Sequence, residues 1–204
     1  REEAWMDTID YKSDQNPLGA YRYDLAFYDG GTGWEQLAPM RSVKAPTVVA
    51  TLRECRRHSE SFKRLISDSA NQLSEAARKQ DADDLPLVPH RPQGNRIERH
   101  IEEWGDHLRA IMLHARFIPH LRPLVSRFIS DVRNLFRKCD RYYPDEEATH
   151  SAVPYFHRFR NDPPWKESEL PPFGSLITVV PAKSQRKNEA KLNPRGYAML
   201  FCGI

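Results

Sequence analysis

The sequence predicts a three-layer α/β domain with a small β-rich extension at its C-terminal end. Strand-like and helix-like stretches alternate from residue 4 to residue 139, which argues for helices on both faces of one sheet. Residues 20–28, Ala-Tyr-Arg-Tyr-Asp-Leu-Ala-Phe-Tyr, alternate with period two and end in the turn signal Asp29-Gly30-Gly31-Thr32-Gly33. Two long stretches near the middle, 97–115 and 121–139, repeat apolar residues at helical spacing.

The elements follow in order. Residues 4–11 alternate weakly and read as a strand. The hairpin 20–28 and 34–40 comes next. Pro46 suits the first turn of a helix running to about residue 57, with Val48, Val49, Leu52 and Cys55 on one face. Residues 62–67 form a short apolar strand ending at Asp68, and the Ala-rich stretch 71–79 is helical. Leu85, Leu87 and Val88 make another short strand before a Pro-rich turn at 89–92.

Ile97, Ile101, Trp104, Leu108, Ile111, Met112 and Ala115 then mark one face of a long helix. Pro119 stops it or starts the next. Residues 144–172 read as loop, with Trp165 between Pro163-Pro164 and Pro171-Pro172 expected to anchor the tail by packing. Trp34 and Trp104 are expected in the core. Strands at 176–180 and 197–201 flank a basic stretch, 183–191. The expected organisation is a core over 1–142, a Pro-rich connection over 143–172 and a small β-rich piece over 173–204. Both ends read as cut from a longer polyprotein.

Hydrophobic residues make up 39% of the 204 residues, enough for a real core, and the formal charge is only +3. Composition alone therefore does not announce nucleic-acid binding. Charge is unevenly placed, however: residues 86–142 hold eleven Arg/Lys against six Asp/Glu, which suggests one basic face or a solvated helix surface. Cys55, Cys139 and Cys202 are far apart and odd in number, which argues against a zinc ribbon, a redox pair or a disulfide scaffold and fits a reducing compartment. No apolar run approaches the roughly 20 residues that span a bilayer.

Three carboxylates carry the candidate chemistry. Asp7 lies in Trp5-Met6-Asp7-Thr8-Ile9-Asp10, Asp68 in Ile66-Ser67-Asp68-Ser69-Ala70, and Glu98 in Gln93-Gly94-Asn95-Arg96-Ile97-Glu98-Arg99. Acidic side chains converging on one point make an oxygen-rich site for magnesium, and paired magnesium ions suit in-line phosphoryl transfer. Asp10 competes with Asp7, because positions 7 and 10 of one strand point to opposite faces. Asp68 falls at a strand end, where α/β folds carry their sites. Glu98 falls about one turn into the long helix.

Several segments in order resemble the catalytic core of a retroviral-type integrase, as carried by copia-type retrotransposon polyproteins. Tyr21-Arg22-Tyr23-Asp24-Leu25-Ala26-Phe27-Tyr28 through Trp34 resembles the family's second strand and turn. Pro39-Met40-Arg41-Ser42-Val43-Lys44-Ala45, Ser67-Asp68-Ser69-Ala70-Asn71-Gln72-Leu73 and Pro89-His90-Arg91-Pro92-Gln93 through Arg99 follow in the family's order. Pro172-Phe173-Gly174 and Lys191-Leu192-Asn193-Pro194-Arg195-Gly196 resemble the piece after the core. The chain departs from the pattern at Ser69 (usually Asn), Gln72 (usually Glu), Arg96 (usually Gly) and in an interval from Asn95 to Glu98 one residue short.

The resemblance implies a ribonuclease-H-like fold and a metal-dependent DNA strand-transferase active in DNA integration. It favours Asp7 over Asp10, makes Asp7, Asp68 and Glu98 the catalytic and metal-holding residues, and implies Mg²⁺ or Mn²⁺ as the cofactor. The implied partners are DNA (element ends and target) and further copies of the chain, with no membrane; the implied location is the nucleus or a cytoplasmic retroelement particle. Candidate nucleic-acid contacts are His90, Arg91, Gln93, Asn95, Arg96 and Arg99 around the start of the long helix, and Lys183, Arg186 and Lys187, with Lys191, in the basic loop. A rigid turn and a solvated loop account for the same residues. The departures leave a second reading open: a catalytically impaired, integrase-derived nucleic-acid-binding module or remnant.

Overall fold

The computed structural model describes residues 3–12, 18–56, 62–68, 70–86, 96–115, 119–137, 153–159, 161–179 and 197–202. A five-stranded sheet has the order β3-β2-β1-β4-β5, built from β1 (Glu3–Asp10), β2 (Tyr23–Asp29), β3 (Glu35–Met40), β4 (Arg64–Ser67) and β5 (Asp83–Pro86). β1–β2 and β2–β3 are antiparallel; β1–β4 and β4–β5 are parallel. The helices are α1 (Ala45–Arg56), α2 (Asn71–Arg78), α3 (Arg96–His114), α4 (Arg122–Phe136) and α5 (Pro154–Phe159). The strands β6 (Leu176–Val179) and β7 (Tyr197–Leu200) form a separate antiparallel pair.

Alternation along the strands sorts two cores. Ala4 and Met6 of β1 and Leu25 and Phe27 of β2 face a cluster completed by Val48, Val49, Leu52 and Cys55 of α1 and Leu73, Ala76 and Ala77 of α2. Trp5 and Ala26 face the other side, against Ile97 and Trp104 of α3 and Val125, Phe128 and Ile129 of α4. β1 is therefore buried on both faces, as a central strand must be in a three-layer fold. Phe173 and Phe201 pack on Phe128 at centroid distances of 5.0 and 6.0 Å, so the C-terminal segment shares the second core.

The β2–β3 turn is closed by Asp29, whose Oδ1 accepts from Gly31 N (2.8 Å) and whose Oδ2 accepts from Thr32 Oγ1 (2.7 Å); Gly33 takes φ +76° there. A Cβ on Gly30 would fall 2.3 Å from the Trp5 ring and 2.9 Å from Glu3 O, so only glycine fits.

Four expectations need correction. The loop-like stretch 144–172 contains α5, started by Pro154 in the first helical turn, where a proline lacks nothing the helix needs. Trp165 is 46% exposed and does not anchor the tail by burial; Phe173 and Phe201 do that. Trp34 is half-buried rather than core, with the Arg158 guanidinium 3.9 Å from its ring centre. The strand expected around Leu85, Leu87 and Val88 begins at Asp83, because the β4 ladder pairs Arg64 with Asp83 and Ile66 with Leu85; residues 87 and 88 lie outside the described residues.

Candidate functional site

Asp7 lies on the β1 face that carries Trp5 and Ile9, toward α3 and α4. Its cross-strand neighbour on β2 is Ala26, small enough to leave the carboxylate room. The parallel ladder pairs Trp5 with Ile66, and the same register carried two residues on, just past the end of β4, brings Asp68 to the level of Asp7, whose carboxyl feels its charge. Asp68 follows β4 directly and precedes α2; its Oδ1 accepts from Ala70 N at 3.3 Å, close to the positive end of that helix. Glu98 is the third residue of α3, in its first turn. Asp7 is half-buried; Asp68 and Glu98 are exposed. The arrangement is one half-buried acid with two exposed acids whose charges reach it.

The electrostatics of Asp7 tie the three together. Its carboxyl is pushed up to about 6, chiefly by burial; the Thr8 backbone N–H (2.6 Å from Oδ1) pulls the other way, and the charges of Asp68 and Glu98 add to the rise. No cation offsets them among the influences on this group. Asp10 points away from this face and pairs with Arg22 at 2.9 Å, which removes it as a competitor.

The same sheet face holds two more buried acids, and both are neutralised. Asp24 receives Arg122 Nη1 at 3.0 Å, Ser126 Oγ at 2.7 Å and Tyr11 Oη at 3.2 Å. Burial still raises its pKa, against the pull of Arg122 and these hydrogen bonds. Glu35 pairs with Arg133, which also reaches Glu103 at 2.9 Å. Neither pair follows from the local motifs. For Arg122 the signal is a polar ladder at four-residue spacing, Arg122, Ser126, Ser130 and Asn134, all buried on one side of α4; Arg133 stands outside that ladder.

The donor set, all oxygen, suits a hard divalent cation, and Mg²⁺ is commonly held by one or two carboxylates with substrate phosphates. Asp7 and Asp68 fit that description. Among the described residues no group of three His, Cys, Asp or Glu side chains lies close enough to hold a metal ion, so Asp7, Asp68 and Glu98 do not form a closed set in this arrangement.

Of the candidate nucleic-acid contacts, Arg96 lies over the Trp5 ring at 5.1 Å, and Arg99, 84% exposed, pairs with Glu103 at 3.4 Å. His90, Arg91, Gln93, Asn95, Lys183, Arg186 and Lys187 lie outside the described residues. A groove of about 800 Å³ between α1, β3 and α4, lined by Trp34, Thr51 and Asp131 among others, is not adjoined by any of the three acids. No helix among the described residues is long and apolar enough to cross a membrane.

No protein-family model matches the chain, and no curated protein is similar to it. Among solved structures it is similar to the catalytic core domain of BIV integrase, with 12% identity and a TM-score of 0.50, over 78% of this chain and 94% of that one. The chain thus has the mixed-sheet, ribonuclease-H-like α/β fold of a retroviral integrase catalytic core.

Proposed function

We propose that this chain is an integrase-type polynucleotidyl transferase of the copia-type retrotransposon class, with Asp7, Asp68 and Glu98 as its catalytic carboxylates. The observation that carries the reading is the state of Asp7. It is a desolvated acid whose charged neighbours are two more acids, on a sheet face where the other buried acids have arginine partners. Perturbed acids without structural counter-charges are characteristic of sites built for a ligand of opposite charge.

In this reading Thr8 N–H holds the Asp7 carboxylate in place, and Asp68 is presented between β4 and α2. Glu98 approaches from α3. When bound, divalent ions such as Mg²⁺ or Mn²⁺ supply a more acidic attacking oxygen and charge stabilisation on the leaving oxygen. The attacking group is water or a DNA 3′-hydroxyl. Its bond to phosphorus forms as the opposite P–O bond breaks, with no covalent protein intermediate. The partners are element ends and target DNA, contacted by Arg96, Arg99 and the basic loop, and further copies of the chain; the compartment is the nucleus or a cytoplasmic particle.

The test is an oligonucleotide assay with Mn²⁺, using the simple disintegration reaction. Strand joining or nicking by the wild-type chain, lost in Asp68→Asn, is the expected outcome. Activity surviving in Asp68→Asn defeats the assignment. A second reading, a DNA-binding module without chemistry, draws on the three acids not forming a closed set among the described residues and on Ser69 and Gln72. It predicts DNA affinity with no metal-dependent cleavage.

A further inference from the structure

Glu98 is placed by whatever sets the roll of α3 about its own axis. At about 100° per residue, Ile97, Ile101, Trp104 and Leu108 form one stripe, facing the sheet. That stripe is apolar, and apolar contact is non-directional, so it fixes depth better than roll. Glu98 lies about 90° to one side of the stripe. Roughly 70–130° to the other side lie His100, His107 and Glu103.

All three residues of this second flank converge on one buried cluster. The His100 ring stacks on Tyr28 at 4.3 Å, with Nδ1 3.0 Å from Glu35 Oε2, a close polar approach rather than an aligned hydrogen bond. Glu103 meets Arg133 at 2.9 Å and Arg137 at 3.0 Å. His107 Nδ1 lies 3.2 Å from Arg133 Nη1. Glu35, 1% exposed, is held by Arg133 and approached by Arg137 at 3.6 Å. Its own backbone is pinned: Glu35 N donates to Asn134 Oδ1 at 2.9 Å, and Asn134 Nδ2 donates to Glu35 O at 2.6 Å.

The strand order puts these two flanks on opposite sides of the helix. Glu35 belongs to β3 and Asp68 follows β4, with β2 and β1 between, beneath α3. A roll that lifts the His100 flank from Glu35 therefore displaces Glu98 relative to Asp7 and Asp68 in the opposite sense. Charge pairs and an aromatic stack are directional, so they choose among rolls that the apolar stripe tolerates.

We propose that the buried cluster of Glu35, Arg133, His100 and Glu103 is a roll lock for α3, and that Glu35 and His100 are positioning residues for Glu98. The inference deepens the proposed function and rests on it for its meaning, but its geometry can be tested without metal or DNA. The reporter is the Thr8 amide, which donates to Asp7 Oδ1 and so senses charge beside that carboxylate.

The experiment records the Thr8 amide resonance of the full chain, metal-free and at one pH, in four backgrounds: wild type, Glu98→Gln, His100→Phe and the double variant. His100→Phe keeps a ring against Tyr28 and removes the contact with Glu35. Glu98→Gln is expected to shift the Thr8 amide in the wild type, and that shift is expected to fall by about half or more in the His100→Phe background. Glu35→Gln, with thermal melting to establish that it folds, is the second route to the same loss. An equal Thr8 shift in wild-type and His100→Phe backgrounds overturns the proposal, as does the absence of any shift in the wild type. Mn²⁺ binding is followed in parallel. If the wild type binds none, the catalytic reading fails while the amide cycle still decides the lock.

Discussion

Arg122 Nη1 meets Asp24 Oδ1 at 3.0 Å inside the protein, joining the start of α4 to β2 across 98 residues of sequence. Two residues away on the same face of β2 lies Ala26, whose cross-strand partner is Asp7, an acid with no such arginine. The contrast separates a structural acid from a site acid on one sheet face, and it makes their variants behave differently.

Arg122→Met leaves Asp24 buried without its main counter-charge. Removal of one partner of a buried pair costs about 3–5 kcal/mol, and replacing both partners by apolar residues is often near neutral. Denaturant titration is therefore expected to show a large loss in Arg122→Met and recovery of about half or more of it in Asp24→Leu/Arg122→Met. A single variant as stable as wild type contradicts the pairing.

Asp7→Asn acts in the opposite direction. The carboxyl is raised from 3.8 to about 6, so between those values the folded chain keeps a proton the unfolded chain has released. This group's contribution to stability is present below 3.8, falls as pH rises, and is gone above about 6. Two units correspond to about 3 kcal/mol, and partial solvent access trims that to roughly 1–2 kcal/mol. Metal-free Asp7→Asn is expected to be more stable than wild type at pH 7 by that amount and equal to it below pH 4. Asp131, also pushed up to about 6 by burial, titrates in the same window, so the difference between the two proteins is the quantity to read. A variant less stable at pH 7 contradicts the unpaired state of Asp7.

Asn134→Ala exposes the β3 edge. Both backbone groups of Glu35 depend on the Asn134 side chain, and Leu37 N depends on Ser130 Oγ at 2.7 Å. Two buried backbone groups left without partners cost roughly 2–4 kcal/mol. Hydrogen exchange of the Glu35 amide is expected to accelerate accordingly, while the Met6 amide, in the central strand, changes only with global stability.

Gly30→Ala tests the turn that seats Trp5. A methyl group at Gly30 must displace the Trp5 ring or the Glu3 carbonyl. The expected cost is about 1–3 kcal/mol, read as a lower melting temperature. Unchanged melting would mean that Trp5 does not pack against this turn.

Much of the fold was legible because it rests on local pattern. Val48, Val49, Leu52 and Cys55 announce the buried face of α1, and the Asp29–Gly33 turn announces the hairpin. Asp68 at a strand end and Asp7 in mid-strand were also readable. What pattern does not encode is pairing across long separations. Arg122 looks like any helical arginine until β2 brings Asp24 to it, and Glu35 looks like a strand-edge charge until Arg133 covers it. Glu98 is intermediate: its place in the first turn of α3 was close to the expectation, but its reach depends on how α3 rolls, which apolar periodicity alone leaves loose.

The most direct test of the central claim is Mn²⁺ calorimetry at pH 7 on the wild-type chain, Asp7→Asn and Asp68→Asn. The account predicts saturable Mn²⁺ binding by the wild type and its loss in both variants, since each removes one of the carboxylates proposed to hold the ion. Binding of equal strength in all three proteins, or none in the wild type, would contradict it.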